Sequence, residues 1–247
     1  MQKGRQLLAD KIALITGGGR GIGKSVALAF AREGADIVIT ARTDAQLNTV
    51  AEEIKSLGRT CVAIAADISV DKDVERVFKD AFDEFGRVDI LVNNAGIAID
   101  GAFVEISMED WDRTININLR GAALCAKVAL SDMLKRGEGV IINIASAAGL
   151  RGLPGNAAYS ASKGGLIAMS HAVADELRGS GVRVNVICPG PIETEMLMQS
   201  KLRDFLLKNK ESLLPPKDIA GAALYLASDL SGGLNSQVIT VRNTNRW

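Results

Sequence analysis

The chain of 247 residues is 47% hydrophobic and 4% aromatic, and its 29 lysines and arginines balance 29 aspartates and glutamates. This length and hydrophobic content suit one large core, so we expect a single domain over residues 1–247. Because the chain has no basic excess and few aromatic side chains, we expect no nucleic-acid partner.

The sequence also lacks targeting and metal-binding patterns. No uncharged apolar stretch is long enough to span a bilayer, and the first apolar run is too short for a signal peptide. Cys61, Cys125 and Cys188 show no Cys-x-x-Cys spacing, which indicates reduced core residues. One histidine, His171, cannot build a His-rich metal site. We therefore expect a cytoplasmic protein with no membrane partner and no metal.

Apolar β-type runs alternate with amphipathic stretches along the chain. Near-continuous apolar strands separated by helices are typical of a parallel sheet covered on both faces. With right-handed crossovers, the pattern predicts an α/β fold, a single doubly wound (Rossmann-type) parallel sheet of about seven strands with helices on both faces. The predicted strands are 11–16, 36–41, 60–66, 88–93, 140–146, 182–188 and 237–241, and two long helices are predicted over 107–135 and 157–179.

The first predicted strand runs into a glycine-rich turn over residues 16–23, and a helix follows at once. Glycines permit tight turns and let a pyrophosphate approach the helix N-terminus, whose free N–H groups attract anions. Residues 18–25 also read Gly-x-x-x-x-Gly-Lys-Ser, the phosphate loop of nucleoside triphosphatases, and Asp67 could then serve as the magnesium-binding acid. The turn by itself leaves both interpretations open.

Tyr159 and Lys163 are four residues apart in a predicted helix, so both side chains lie on one helix face. A nearby ammonium favours phenolate over phenol and is expected to lower the pKa of Tyr159 from its reference of about 10. Such a phenol suits a general acid or base. The run from Ser160 to Lys163 also matches the Ser-x-x-Lys of serine acyl hydrolases, but the accompanying Lys-Thr-Gly and Ser-Asp-Asn elements are missing.

Several motifs occur in one order and spacing over roughly residues 9–241, and together they resemble the short-chain dehydrogenase/reductase family. They are Thr16-Gly17-x-x-x-Gly21-x-Gly23, Asn93-Asn94-Ala95-Gly96, Asn118, Ser146, Tyr159-x-x-x-Lys163 and Pro189-Gly190 followed by Thr194. A phosphate-loop enzyme would leave every motif after Asp67 unexplained. The resemblance implies an enzyme that transfers hydride between a nicotinamide cofactor and a carbonyl or secondary alcohol.

The resemblance also implies a role for each catalytic residue. Tyr159 would pass a proton to or from the substrate oxygen, and Lys163 would hold the nicotinamide ribose while lowering the pKa of Tyr159. Ser146 would hydrogen-bond the substrate oxygen. Asn118 would position a water that extends the proton path from Lys163.

A second implied set binds the cofactor. Asp67 would contact the adenine, Asn93 and Gly96 would line the crevice, and Pro189 with Thr194 would close over the nicotinamide end. The whole set is Thr16, Gly17, Gly19, Arg20, Gly21, Ile22, Gly23, Arg42, Asp67, Ile68, Asn94, Ala95, Gly96, Tyr159, Lys163, Pro189, Gly190, Ile192 and Thr194.

The end of the second predicted strand bears on cofactor choice. An acid there would bind the adenosine ribose of NAD, whereas an arginine accommodates the 2′-phosphate of NADP. By the resemblance, Ala41 occupies the acid position, Arg42 follows it, and Arg20 supplies a second cation. We expect NADP(H) to be favoured over NAD(H), although Asp44 could still serve a ribose.

Residues 191–216 are expected to form a substrate lid whose apolar side suits a lipophilic carbonyl, although an amphipathic core helix would look the same. Relatives labelled 3-oxoacyl-carrier-protein reductases make an acyl thioester a candidate substrate. Against that label, Asp175 and Glu176 stand where an arginine that docks the acidic carrier is expected.

The C-terminal tail, 242–247, departs from the family's usual Val-Asp-Gly-Gly ending. We expect the tail to affect assembly rather than chemistry. The two long predicted helices could still form the family's other subunit contact, so we expect a homotetramer or homodimer. The alternative hypothesis is a catalytically weak or silent dinucleotide-binding protein that acts as a sensor or partner subunit.

Overall fold

The computed structural model describes residues 6–200, 203–208 and 213–243. The strands are β1 (Ile12–Thr16), β2 (Asp36–Ala41), β3 (Cys61–Ala65), β4 (Ile90–Asn93), β5 (Gly139–Ile144), β6 (Val182–Pro189) and β7 (Val238–Val241). Within the described residues, these strands form one parallel sheet in the order β3-β2-β1-β4-β5-β6-β7. The predicted doubly wound sheet is confirmed.

Helices cover both faces of this sheet. They are α1 (Gly21–Arg32), α2 (Asp44–Ser56), α3 (Asp71–Phe85), α4 (Met108–Ile115), α5 (Ala122–Arg136), α6 (Ala147–Arg151), α7 (Ala157–Glu176), α8 (Glu195–Met198), α9 (Arg203–Lys208) and α10 (Pro216–Ala227). Successive strand residues point to opposite faces, so Ile15 packs into the core that holds Phe30 of α1, and Leu14 into the core that holds Phe78 of α3. Both cores are therefore built from the same strands.

Several predicted elements have different bounds in the structure. The fifth strand stops at Ile144, two residues before its predicted end, because the Ser146 hydroxyl accepts a hydrogen bond from the Ala148 N–H (3.1 Å) and begins α6. The helix predicted over 107–135 is interrupted by a π-helical turn, Asn116–Gly121, between α4 and α5. The helix predicted over 157–179 ends at Glu176.

Among the residues described, no helix is both long and apolar enough to cross a membrane. The three cysteines are free thiols, and burial raises the pKa of Cys61 and Cys125 to about 12. Of the predicted tail, Arg242 and Asn243 follow β7, and residues 244–247 lie outside the described residues. The expectation about the tail therefore stays a prediction.

A buried carboxylate ties the sheet together at the end opposite the glycine turn. Asp89 precedes β4 and accepts a hydrogen bond from the Ile12 N–H (2.9 Å) at the start of β1. It also accepts from Arg87 Nε (3.0 Å) and from Arg136 Nη1 (2.9 Å) at the end of α5. One side chain thus joins two central strands to a covering helix.

We predict that Asp89→Asn lowers the free energy of unfolding by about 2–3 kcal/mol, because two guanidinium groups lose a buried anionic partner. The matched control is Asp132→Asn, which breaks the half-buried pair with Arg136 Nε (2.8 Å) and should cost below about 1 kcal/mol. Urea denaturation of both variants measures the difference. Equal losses would show that the burial of Asp89 does not matter.

Candidate active site

The site lies where four strand ends meet. Thr16, Asn93, Ile144 and Pro189 are the last residues of β1, β4, β5 and β6, and these strands are neighbours in the sheet. The order of the strands reverses between β1 and β4, which is the point where doubly wound sheets bind ligands. The edge of the sheet therefore brings residues of the predicted set together around one crevice.

The glycine turn is too tight for side chains at three positions, Gly17, Gly18 and Gly23. Gly17 has φ of 67°, and a Cβ there would lie 2.8 Å from Asn94 Nδ2. A Cβ at Gly23 would lie 2.2 Å from the Gly17 carbonyl oxygen. Only glycine lets the backbone fold this closely onto the start of α1.

Hydrogen bonds hold the glycine turn against the loop after β4. The Thr16 hydroxyl accepts from the N–H groups of Asn94 (3.0 Å) and Ala95 (3.1 Å). In return, Asn94 Nδ2 donates to the carbonyl oxygens of Thr16 (2.9 Å) and Gly17 (3.2 Å). Four hydrogen bonds thus join the predicted cofactor residues at the end of β1 to those in the loop after β4.

The N-terminus of α1 is free to bind an anion. Arg20 is its N-cap residue and makes no side-chain capping hydrogen bond, and the first turn contains no acidic residue. Gly21 and Ile22 begin the helix, so their N–H groups lie in the turn that points out of the helix end. Lys24 instead pairs with Glu53 of α2 at 2.8 Å, an arrangement unlike that of a phosphate-loop lysine.

Tyr159, Lys163 and Ser146 come together in this crevice. The Ser146 side chain lies near enough to the Tyr159 phenol to act against the rise of its pKa. Lys163 Nζ lies 5.9 Å from the centroid of the Tyr159 ring and donates to the Ile144 carbonyl oxygen at 2.7 Å. The structure therefore places a hydroxyl, a phenol and an amine at the end of β5.

The expected lowering of the Tyr159 pKa is wrong for this structure. Burial raises the pKa of the Tyr159 phenol, and the Ser146 side chain only partly opposes this rise. Burial also lowers the pKa of the Lys163 amine to about 8. The physical reason is that burial removes both groups from solvent and so disfavours the charged form of each.

The shifted amine predicts a pH dependence of stability. Since Lys163 has a pKa of about 8 in the fold and 10.5 as its ordinary value, the unfolded chain binds more protons between these pH values. The stability of the wild type relative to Lys163→Met should therefore rise by about 2–3 kcal/mol from about pH 8 to about pH 10.5. Urea denaturation of both proteins across this range measures it, and parallel profiles would contradict the shift.

The side chain of Asn118 is held by the protein. Its Oδ1 accepts from the Ile97 N–H (2.8 Å), and its Nδ2 donates to the Ile97 carbonyl oxygen (2.8 Å) and to Ser162 Oγ (3.0 Å). Ser162 in turn donates to the Tyr159 carbonyl oxygen at 2.7 Å. Asn118 therefore links the loop after β4 to the helix that carries Tyr159.

Ser162 was not among the predicted site residues. It directly precedes Lys163 and is three residues from Tyr159, a spacing that was not used in the prediction.

Both donors of the Asn118 amide are used, so only Oδ1 keeps a lone pair for the water implied by the resemblance. This oxygen lies beside Gly96, where a Cβ would be 3.1 Å from it and 3.5 Å from Lys163 Nζ.

Asn93 was predicted to line the crevice, but it is buried beneath it. Its Nδ2 donates to Asn143 Oδ1 (2.9 Å), and Asn143 Nδ2 donates to Ser170 Oγ (2.8 Å). This chain of polar groups joins β4 and β5 to α7. Asn93 thus supports the site from below, and Asn143 and Ser170 are further supporting residues that the sequence analysis did not identify.

Asp67 and Ile68 lie just after β3. The Asp67 carboxylate accepts from the N–H (2.9 Å) and hydroxyl (2.7 Å) of Ser69. Ile68 is buried against Gly121, where a Cβ would lie 2.7 Å from the Ile68 carbonyl oxygen. Within the described ranges, the Ile68 N–H has no hydrogen-bond partner. It is therefore a free donor at this end of the crevice.

The predicted lid begins where β6 ends. The Gly190 N–H donates to the Val241 carbonyl oxygen (2.8 Å), while Pro189 and Ile192 are buried. Thr194 caps α8, since its hydroxyl accepts from the Leu197 N–H (3.5 Å). Of the predicted lid, 201–202 and 209–212 lie outside the described residues.

The remaining predicted residues follow the ends of β1 and β2. A Cβ at Gly19 would lie 3.1 Å from Gln46 Cβ, so the turn also packs against α2. Arg42 follows β2 and is exposed, with no hydrogen bond or ion pair to another described residue. Arg20 forms an ion pair with Glu195 of α8.

A doubly wound sheet with a glycine turn, a free helix N-terminus and a Tyr-Ser-Lys cluster at its switch point defines a dinucleotide-binding oxidoreductase. A family model for short chain dehydrogenase matches residues 11–204. The (2S)-[(R)-hydroxy(phenyl)methyl]succinyl-CoA dehydrogenase subunit BbsD of Thauera aromatica is 40% identical over 238 residues, 95% of this chain and 96% of the relative. The chain belongs to the short-chain dehydrogenase family.

Two further similarities agree with this. A 3-oxoacyl-(acyl-carrier-protein) reductase of Synechocystis is 39% identical over 229 residues, 90% of this chain and 91% of the relative. The 3-ketoacyl-(acyl-carrier-protein) reductase of Brucella melitensis, crystallised in complex with NADH, has a TM-score of 0.90 and 35% identity, with 96% of this chain and 98% of that chain covered. The chain is an NAD(P)-dependent oxidoreductase of this family.

Proposed function

We propose that the protein is an NADP(H)-dependent reductase that interconverts a carbonyl and a secondary alcohol, with Tyr159 as the general acid or base. The observation that carries the proposal is the convergence of Tyr159, Ser146 and Lys163 beside a free helix N-terminus. Each group suits a step that the reaction needs, and the sheet edge holds all of them.

The crevice fits a dinucleotide. The backbone at Gly17 and Gly23 leaves no room for side chains, so a pyrophosphate can approach the first N–H groups of α1. The free Ile68 N–H suits a ring nitrogen of adenine. At the other end, Lys163 Nζ lies beside Gly96, within reach of a ribose. When bound, the cofactor supplies or accepts a hydride.

The residues of the chain handle the proton. Because burial raises the pKa of Tyr159, the side chain is a neutral phenol at neutral pH and can act as an acid in the reductive direction. Its proton passes to the carbonyl oxygen as the carbonyl carbon gains a hydride, which yields the alcohol and a phenolate. Ser146 holds the same oxygen by a hydrogen bond. Lys163 stabilises the phenolate once it forms.

We predict that Tyr159→Phe lowers kcat for carbonyl reduction by about 100-fold or more, since the proton donor is lost. Dinucleotide affinity should change little, because the ring remains. The matched control is Tyr225→Phe, at the other tyrosine of the chain, which is exposed on α10 and should keep full turnover. Steady-state NADPH absorbance measures the kcat of both variants. A Tyr159→Phe enzyme that kept most of its turnover would refute the assignment of Tyr159 as the general acid.

The preference for NADP(H) is supported by charge at the end of β2. Arg42 is exposed and has no partner among the described residues, so its guanidinium can bind a 2′-phosphate. Ala41 stands where an acid would repel that phosphate. The similar reductase from Brucella melitensis binds NADH in its crystal structure, so the choice depends on local residues and not on the fold.

We predict that NADPH binds at least about tenfold more tightly than NADH, and that Arg42→Ala removes most of this difference. The control is Arg178→Ala, which removes an exposed arginine at the end of α7 that pairs with Asp175. Nucleotide fluorescence titration gives both affinities. If the wild type bound both cofactors equally, or Arg42→Ala kept the preference, Arg42 would not select the cofactor.

We propose that the substrate is a lipophilic carbonyl compound and that acyl thioesters are one candidate class. We also propose that the protein acts in the cytoplasm. The names of the two relatives, a CoA-ester dehydrogenase and a 3-oxoacyl reductase, support thioesters. Exposed Asp175 and Glu176 on α7 disfavour an acidic carrier protein. A panel of ketones, quinones and acyl thioesters, read by NADPH absorbance, tests this.

We also propose that the protein assembles as a homotetramer or homodimer. Tyr225 and Leu230 remain 43% and 66% exposed near the β7 edge of the sheet, where unpaired backbone groups favour a partner. The mass in solution decides this directly.

A further inference from the structure

An ion pair crosses from the glycine turn to the lid. Arg20 Nη1 contacts Glu195 Oε2, and the two side chains are 47% and 58% exposed. Arg20 is the N-cap residue of α1, and Glu195 is the first residue of α8. Within the described part of the chain, no other ion pair joins the turn to the lid.

The backbone around Glu195 holds its carboxylate at this place. The Glu193 N–H donates to the Leu214 carbonyl oxygen (2.9 Å), and the Leu214 N–H donates to the Pro191 carbonyl oxygen (3.0 Å). On the other side, a Cβ at Gly21 would lie 3.4 Å from Thr194 Cγ2, so the lid lies in contact distance of the turn. Glu195 thus meets Arg20 because the base of the lid is fixed.

Arg20 directly follows Gly19, where a Cβ would lie 3.7 Å from Ala41 Cβ at the end of β2, so the Arg20 guanidinium is the second cation that we propose for the 2′-phosphate of NADP. A carboxylate and a phosphate both bind arginine through paired N–H donors. Glu195 therefore competes with the phosphate for the same donors, and it adds negative charge next to the path of the phosphate. Arg42, the second cation, has no such competitor among the described residues.

We propose that Glu195 is a selectivity residue that acts through Arg20 and weakens the binding of the 2′-phosphate. The proposal rests on the proposed NADP(H) preference. A 2′-phosphate displaces Glu195 from Arg20 and so removes the ion pair between lid and turn. A cofactor without this phosphate leaves the pair in place. The ion pair thereby couples lid position to the identity of the cofactor.

The test compares Glu195→Gln with Glu193→Gln. Glu193 is an exposed carboxylate in the same segment, with no ion pair in the described residues, so it controls for lost lid charge. The probes are 2′-phospho-ADP-ribose and ADP-ribose. Both lack nicotinamide, so neither can make the contacts expected between the nicotinamide and the predicted lid. Calorimetry should show about threefold to fivefold tighter binding of 2′-phospho-ADP-ribose by Glu195→Gln, with unchanged ADP-ribose binding and no effect of Glu193→Gln.

A double-mutant cycle with Arg20→Gln tests whether the effect passes through Arg20. In the Arg20→Gln background, Glu195→Gln should give no gain. The proposal is overturned if Glu195→Gln gives no gain, if both probes gain equally, or if the gain persists without Arg20. Failure of the NADP(H) preference looks different, because the wild type would then bind both probes equally.

Discussion

The parallel pairing of β1 with β4 is the constraint on which the rest of the site depends. This pairing places the Thr16 hydroxyl under the backbone N–H groups of Asn94 and Ala95, at 3.0 and 3.1 Å. Hydrogen bonds consequently join the glycine turn to the loop after β4. That loop continues to Ile97, which Asn118 holds through both of its backbone polar groups. The register between β1 and β4 therefore positions both the glycine turn and the loop that continues to Ile97.

The crevice carries its reactive groups at an electrostatic cost. Burial lowers the pKa of Lys163 to about 8 and raises the pKa of Tyr159, so the charged form of each is disfavoured. The protein compensates with fixed dipoles, because the Ile144 carbonyl accepts from Lys163 and the Ser146 side chain acts against the rise of the phenol pKa. Such preorganised polar groups need no rearrangement when charge develops during the reaction. The burial that disfavours the charged forms of these two side chains thus opposes the proton transfer that we propose for them.

Backbone hydrogen bonds hold the base of the predicted lid, and the Glu195 carboxylate lies at the N-terminal end of α1. Leu214 and Ile192 form a bridge that closes the described ends of the lid, and Glu195 then meets Arg20. The contact joins the fixed base of the predicted lid to the glycine turn. In the proposal made above, one guanidinium would link cofactor binding to lid position, whereas Arg42 would act on the cofactor alone.

Local patterns in the sequence determined the sheet, the glycine turn and the pairing of Tyr159 with Lys163, because each depends on spacing within one or two neighbouring elements. Only the tertiary structure decided the partners of these groups. Ser162 meets Asn118 across 44 residues, and Arg20 meets Glu195 across 175, and no local period encodes such contacts. The direction of the Tyr159 pKa shift also required the fold, since desolvation depends on every element packed around the phenol. The sequence thus specified the glycine turn and the Tyr159 and Lys163 pair, whereas packing added Ser162, Asn143 and Ser170 and set the orientation, partners and charge of these groups.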